Sequence, residues 1–219
     1  MKLPVIAAVL ATLAASSGEL KPVERKQTLT SSDGVLTVEN HDTGKGGTMP
    51  ELVTTLRWKD DKGVSHAKVI GGKDERLGWV ESVGVFSTKS GPTYVLLAED
   101  KLATTSYALV LHAFRRGPGG TTLGEVPDFF PSFEDESRDS ALAVEYSRIR
   151  GLDVFPRPLE ARLDETGGRV LVALFPATPP RKSAAKTNVQ SPQFFYLVLE
   201  ADRLVVSGLD ADERTVLTP

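Results

Sequence analysis

Between Val35 and Val206 apolar residues recur at alternate positions in short runs, each closed by turn-forming residues. A period of two sends successive side chains to opposite faces of a β-strand. Leu52, Thr54, Leu56 and Trp58 share one such face, with Val53, Thr55 and Arg57 on the other. Lys59-Asp60-Asp61-Lys62-Gly63 is turn chemistry, and Val64 to Ile70 returns as a β-rich segment, so the pattern predicts a hairpin. Val80–Thr88, Thr93–Ala98 and Tyr107–Arg115 predict three further strands, the first two joined by Lys89-Ser90-Gly91-Pro92.

The same order recurs later, as Leu159–Leu163, Arg169–Phe175 and Phe195–Ala201, with Asp164-Glu165-Thr166-Gly167-Gly168 as the first turn. Tyr107–Arg115 and Phe195–Arg203 match at five of nine positions. This reads either as a duplicated three-strand meander or as two core strands alike in their Leu and Val content. Leu204-Val205-Val206 makes a final strand after a corner at Asp202-Arg203. Ser140 to Arg150 fits a helix through Leu142, Tyr146 and Ile149, and a strand through Leu142, Val144 and Tyr146; the β context favours the strand. The expected fold is therefore all-β: an antiparallel sandwich or barrel of roughly nine or ten strands, with at most one short helix. A propeller needs about 40 residues per blade and at least four blades, which barely fit.

The ends of the chain have a different composition. Met1-Lys2 precedes an apolar run from Leu3 to Ala15, then Ser16-Ser17-Gly18-Glu19. A charged start, an apolar stretch of about 13 residues and a small-residue flank form a secretory signal, too short for a membrane span. Cleavage is expected between Ser16 and Glu19, so residues 1–18 are assigned to the signal. Residues 19–33 read as a polar, flexible lead-in, 34–208 as a single β domain and 209–219 as a polar tail. The chain has no cysteine. That excludes disulfides and thiolate chemistry, and an exported chain without disulfides points to a bacterial periplasmic or secreted protein. The net charge of −3, with both signs mixed, argues against a nucleic-acid or polybasic membrane partner. No later segment is long and apolar enough to span a bilayer.

No motif specifies a reaction. His41-Asp42-Thr43-Gly44 contains an aspartic-protease triplet, but polar residues precede it and no second copy follows, so a surface turn is expected. Gly44-Lys45-Gly46-Gly47-Thr48 lacks the spacing of a phosphate loop. His41, His66 and His112 are isolated in sequence and would bind a metal only if they converged. There is no Gly-x-Ser-x-Gly nucleophile elbow.

Two segments are longer than chain connection requires. Pro176 to Gln193 is basic and Pro-rich, and reads as disordered. Arg116 to Asp139 is Gly-rich and then acidic and aromatic, with Asp128, Phe129, Phe130, Phe133, Glu134 and Asp135 as the candidate binding set. Phe beside carboxylates suits the anchoring of a partner or ligand; equally, the Phe side chains suit an apolar plug closing one end of the β domain. Glu134, Asp135, Glu136 and Asp139 are the oxygen donors that Ca²⁺ takes from loops, but the Asp-x-Asp-x-Asp-Gly ladder is missing, so no cofactor is expected.

The expected function is thus that of an exported, non-enzymatic β domain binding an unknown envelope protein or a small ligand through its end loops. The alternatives are an extracytoplasmic hydrolase using loop carboxylates and an envelope module pairing through strand edges.

Overall fold

The structure is a computed structural model, and it describes residues 24–45, 50–71, 77–102, 106–131, 138–139, 141–147, 157–175 and 193–207. These form three large antiparallel sheets and one two-stranded ladder. The first sheet is the meander β1 (Arg25–Thr30), β2 (Leu36–Asp42), β3 (Leu52–Lys59) and β4 (Ser65–Gly71). The central sheet begins with β5 (Trp79–Thr88), β6 (Gly91–Lys101) and β7 (Ser106–Arg116). A 3-10 turn at Pro118–Gly120 leads to the short β8 (Leu123–Glu125), which folds back on β7. The two-residue strands β9 (Phe130–Pro131) and β10 (Arg138–Asp139) pair with each other, and β11 (Ala141–Ser147) returns beside β7. The last sheet is a second four-stranded meander: β12 (Arg157–Asp164), β13 (Arg169–Phe175), β14 (Gln193–Glu200) and β15 (Arg203–Ser207).

The all-β class is what the alternation predicts, and residues 141–147 take the strand alternative. No barrel closes among the described residues. The strands among the described residues number fifteen against the expected nine or ten, partly because three of them have only two or three residues. The expected lead-in over 19–33 is not uniformly loose: Arg25–Thr30 is a strand paired along its length with Thr37–Asp42. Its polar side chains hid it, because it is an edge strand largely exposed to solvent. The signal segment (1–18) and the tail (209–219) lie outside the described residues, as does residue 208.

The central sheet is covered on both faces, and its sequence records this. Thr93 to Ala98 in β6 are all buried. Tyr94, Leu96 and Ala98 enter one core, with Leu36, Val38, Leu56, Trp58 and Ile70 of the first sheet. Val95 and Leu97 enter the other, with Val170, Leu197 and Leu204 of the last sheet. A strand buried on both faces needs apolar residues at successive positions, which is why Tyr94-Val95-Leu96-Leu97-Ala98 does not alternate. β3, with one face in water, keeps the strict alternation.

The resemblance between Tyr107–Arg115 and Phe195–Arg203 has a physical counterpart here. Leu109 and Leu111 of β7 pack in the core between the central and last sheets, and so do Leu197 and Leu199 of β14. The matching leucines therefore line one apolar space from its two sides. The structures part before the match ends: β7 runs on to Arg116, whereas β14 stops at Glu200 and turns through Ala201, whose φ is 59°, so the matched pairs Ala113/Ala201 and Arg115/Arg203 stand in different local structure.

Candidate functional site

The turns β1–β2, β3–β4, β5–β6, β12–β13 and β14–β15 lie at one end of the stack, as the strand directions require. Polar bonds lock them together. Ser90 donates its N–H and its hydroxyl to the Asp202 carboxylate, at 2.8 and 3.0 Å. Ser32 donates to Glu165 at 2.5 Å, linking the first and last sheets. Asp61 N–H donates to Gly119 O at 3.3 Å. Arg116 donates to Lys59 O at 3.0 Å and to Asp61 Oδ1 at 3.1 Å.

At this end of the first sheet lies a cleft of about 370 Å³. Thr37 of β2, Arg57, Trp58 and Lys59 of β3, and Ser65, His66 and Ala67 of β4 line it, with Gly34 and Val35 forming one wall. The cross-strand register explains the grouping: Arg57 stands opposite Thr37 on one side and Ala67 on the other, Lys59 opposite Ser65, and Trp58 opposite His66. No carboxylate lines the cleft among the described residues, while two cations, an imidazole and two hydroxyls do.

Each wall is held from behind. Asp33 accepts from Ser31 Oγ at 2.6 Å and from Val35 N–H at 3.0 Å, which fixes the Gly34–Val35 turn. Its second oxygen accepts from the hydroxyl of buried Tyr94 at 3.1 Å, tying this wall to the central sheet. Burial, followed by the charge of Asp33, pushes the Tyr94 phenol up to about 12. On the other side Trp58 donates its indole N–H to Gly120 O at 2.8 Å and stacks on His66, with ring centroids 5.6 Å apart. Gly120 has φ +73°, and a Cβ there would meet Asp60 Cα at 3.0 Å, so only glycine lets the 3-10 turn approach the β3–β4 turn this closely.

Asp60 organises that turn. One oxygen accepts from Lys62 N–H at 2.9 Å and Val64 N–H at 2.8 Å; the other pairs with His66 Nε2 at 3.1 Å. The His66 hydrogen bond leads the causes that hold the Asp60 carboxyl below its usual range. An imidazole aimed by a carboxylate resembles part of a hydrolytic triad. The hydroxyl next in sequence, Ser65, projects from the opposite face of β4, as alternation demands, so the pair does not activate it.

The candidate set from the long loop is distributed differently. Asp128 is exposed, at a turn with φ 57°. Phe129 and Phe130 are fully buried, edge to face with centroids 5.1 Å apart, in the core between the central and last sheets. Phe129 O also accepts from Leu204 N–H at 2.8 Å, so the loop is stitched to β15. Both side chains are enclosed in that core. Phe133, Glu134 and Asp135 lie outside the described residues, as do Glu136 and the basic segment before Gln193. Asp42 of the Asp-Thr-Gly triplet accepts from Gly44 N–H at 2.9 Å, an Asx-type turn. His41 pairs with Glu24 at 2.7 Å on the first sheet, and His112 is buried in the central one. Among the described residues no three metal-ligating side chains gather.

Of the cleft residues only His66 stands among the sequence candidates, as one of three isolated histidines. Lys59–Gly63 reads as an ordinary turn and residues 31–33 as the end of the lead-in, and only the pairing of β2, β3 and β4 brings them to one place. No family model, curated protein or solved structure matches the chain.

Proposed function

We propose that the chain is an exported bacterial β domain that binds a small ligand, without catalysing a reaction, in the cleft between the β1–β2 and β3–β4 turns. The observation that carries the reading is a preformed polar cleft whose two walls are anchored by Tyr94–Asp33 and by Trp58–Gly120. A site held in this way loses little conformational freedom on binding. Its volume is that of a small-molecule site, and Thr37, Arg57, Lys59 and Ser65 stand together on the outward face of the first sheet. The hydrolase alternative draws no support from the cleft, because two convergent carboxylates are missing from its lining. Export rests on the charged, apolar and small-residue order of residues 1–18.

Two measurements test the reading. Two-dimensional NMR with a library of sugars, sugar acids and amino acids should move the Trp58 indole and its neighbours, and a library that moves only distant residues would sink the assignment of the site. Mass spectrometry of the protein from its native cell should find an N-terminus between Ser17 and Leu20; an intact Met1 would contradict export.

A further inference from the structure

The charge of the cleft narrows the ligand class. Resting on the reading above, the geometry points to a small oxyanion: a phosphate or carboxylate carried on a sugar-sized molecule and held by Arg57 and Lys59. The two side chains are two positions apart on β3, so they project from the same face. Thr37 stands beside Arg57 in the register and Ser65 beside Lys59, so each cation has a hydroxyl donor next to it. A guanidinium offers parallel donors that match two oxygens of a carboxylate or phosphate, and an ammonium adds a compact charge.

The present partners of the two cations leave them available. Arg57 Nε pairs with Glu39 Oε1 at 2.9 Å, and both side chains are exposed, 55% and 39%. An ion pair this open to water contributes little, so a ligand oxyanion displaces Glu39 at small cost. Lys59 has no ion pair among the described residues; its main-chain carbonyl, not its ammonium, is engaged by Arg116. The nearby carboxylates Asp33 and Asp60 are turned to other duties, on Tyr94 and the Val35 amide in one case and on His66 and the β3–β4 turn in the other. Neither carboxylate lines the cleft, although each keeps its charge, so an anion is held by direct contact with Arg57 and Lys59 rather than by a surplus of positive charge around them. A neutral sugar would leave both cations without a new partner, and a cationic ligand would face two like charges.

The experiment is an NMR titration of the full mature chain at low ionic strength. The probes are glucose 6-phosphate, glucuronate, inorganic phosphate, glucose and choline, with phosphatidylglycerol and phosphatidylcholine vesicles in a separate co-sedimentation arm. The anions should shift the Trp58 indole and the amides of β3 and β4, and raising salt should weaken them. The double variant Arg57→Ala/Lys59→Ala should weaken binding by about ten-fold or more, whereas Lys62→Ala, which removes a charge from the adjacent turn, should change it by less than about two-fold. Both alter exposed side chains, and an unchanged amide spectrum away from the cleft verifies the fold. Binding of phosphatidylglycerol vesicles alone, lost in the double variant, supports the oxyanion and assigns it to a lipid headgroup. Glucose or choline binding in the cleft with no response to anions overturns the oxyanion and leaves the cleft as a ligand site. Anion binding untouched by the double variant also overturns it. Silence of every probe overturns both readings.

Discussion

The two faces of the central sheet are built on different principles. Toward the last sheet it presents Phe86, Val95, Leu97, Leu109, Leu111 and Ala113, which meet Phe129, Phe130, Val170, Leu197 and Leu204. The polar ties of that interface lie at its rim, as in Ser90–Asp202. Toward the first sheet the core is interrupted by groups that need partners. Asn40 donates to Val80 O at 2.7 Å and accepts from Val80 N–H at 3.3 Å, beside a β-bulge in β5. Arg25 lies 4.7 Å from the Trp79 ring centre, Lys68 lies 5.9 Å from that of Phe114, and buried His112 neighbours the same Phe114. An apolar interface resists unfolding but tolerates alternative alignments; buried polar pairs add less net stability yet penalise every wrong register. The cleft opens at the end of the first sheet that borders this interface.

The comparison is sharpened by substitutions on the two sides. Phe129→Ala should cost most, about 3–5 kcal/mol, because it empties a filled space in the apolar core. Urea unfolding should show this as a lower midpoint, and a loss below about 1 kcal/mol would mean that the loop is not part of that core. On the opposite face Asn40→Leu should cost about 1–3 kcal/mol by stranding the Val80 amide and carbonyl, despite the gain in apolar surface. If Asn40→Leu proves stabilising, the polar interface is not held as described.

Acid should act on the polar side first. Burial is the leading cause that holds His112 below the ordinary imidazole value of 6.5, with Glu125 and Asp100 opposing it. The unfolded chain therefore takes up a proton before the folded one does, so stability is full above that value and falls as pH drops through it. Midpoints measured from pH 8 to 5 should decline, and His112→Leu should flatten the decline; an equal slope in the variant would exclude His112 as the cause. Alkali reverses the sign at Tyr94. Its phenol keeps its proton up to about 12, so stability should fall as pH rises from 10 toward that value, and less so in Tyr94→Phe. The smallest effect belongs to the cleft: Arg57→Ala should alter stability by less than about 0.5 kcal/mol, since its pair with Glu39 is exposed.

Local patterning already marks the longer strands from β3 onward. Period-two alternation marks β3, where one face meets water, and turn residues mark the corners between β3 and β4, β5 and β6, and β12 and β13. It was less informative for β1, whose exposed polar residues carry no apolar stripe, and for Phe129 and Phe130, which look alike in sequence whether they plug a core or face a partner. Alternation records only how many faces of a strand are covered, not which sheet covers them. The three-layer stack, the shared core behind the Tyr107–Arg115 resemblance and the meeting of Arg57, Lys59, Ser65 and His66 with the Gly34–Val35 turn were decided by tertiary structure. They depend on register and on contacts between residues far apart in the chain, and no local pattern encodes those distances.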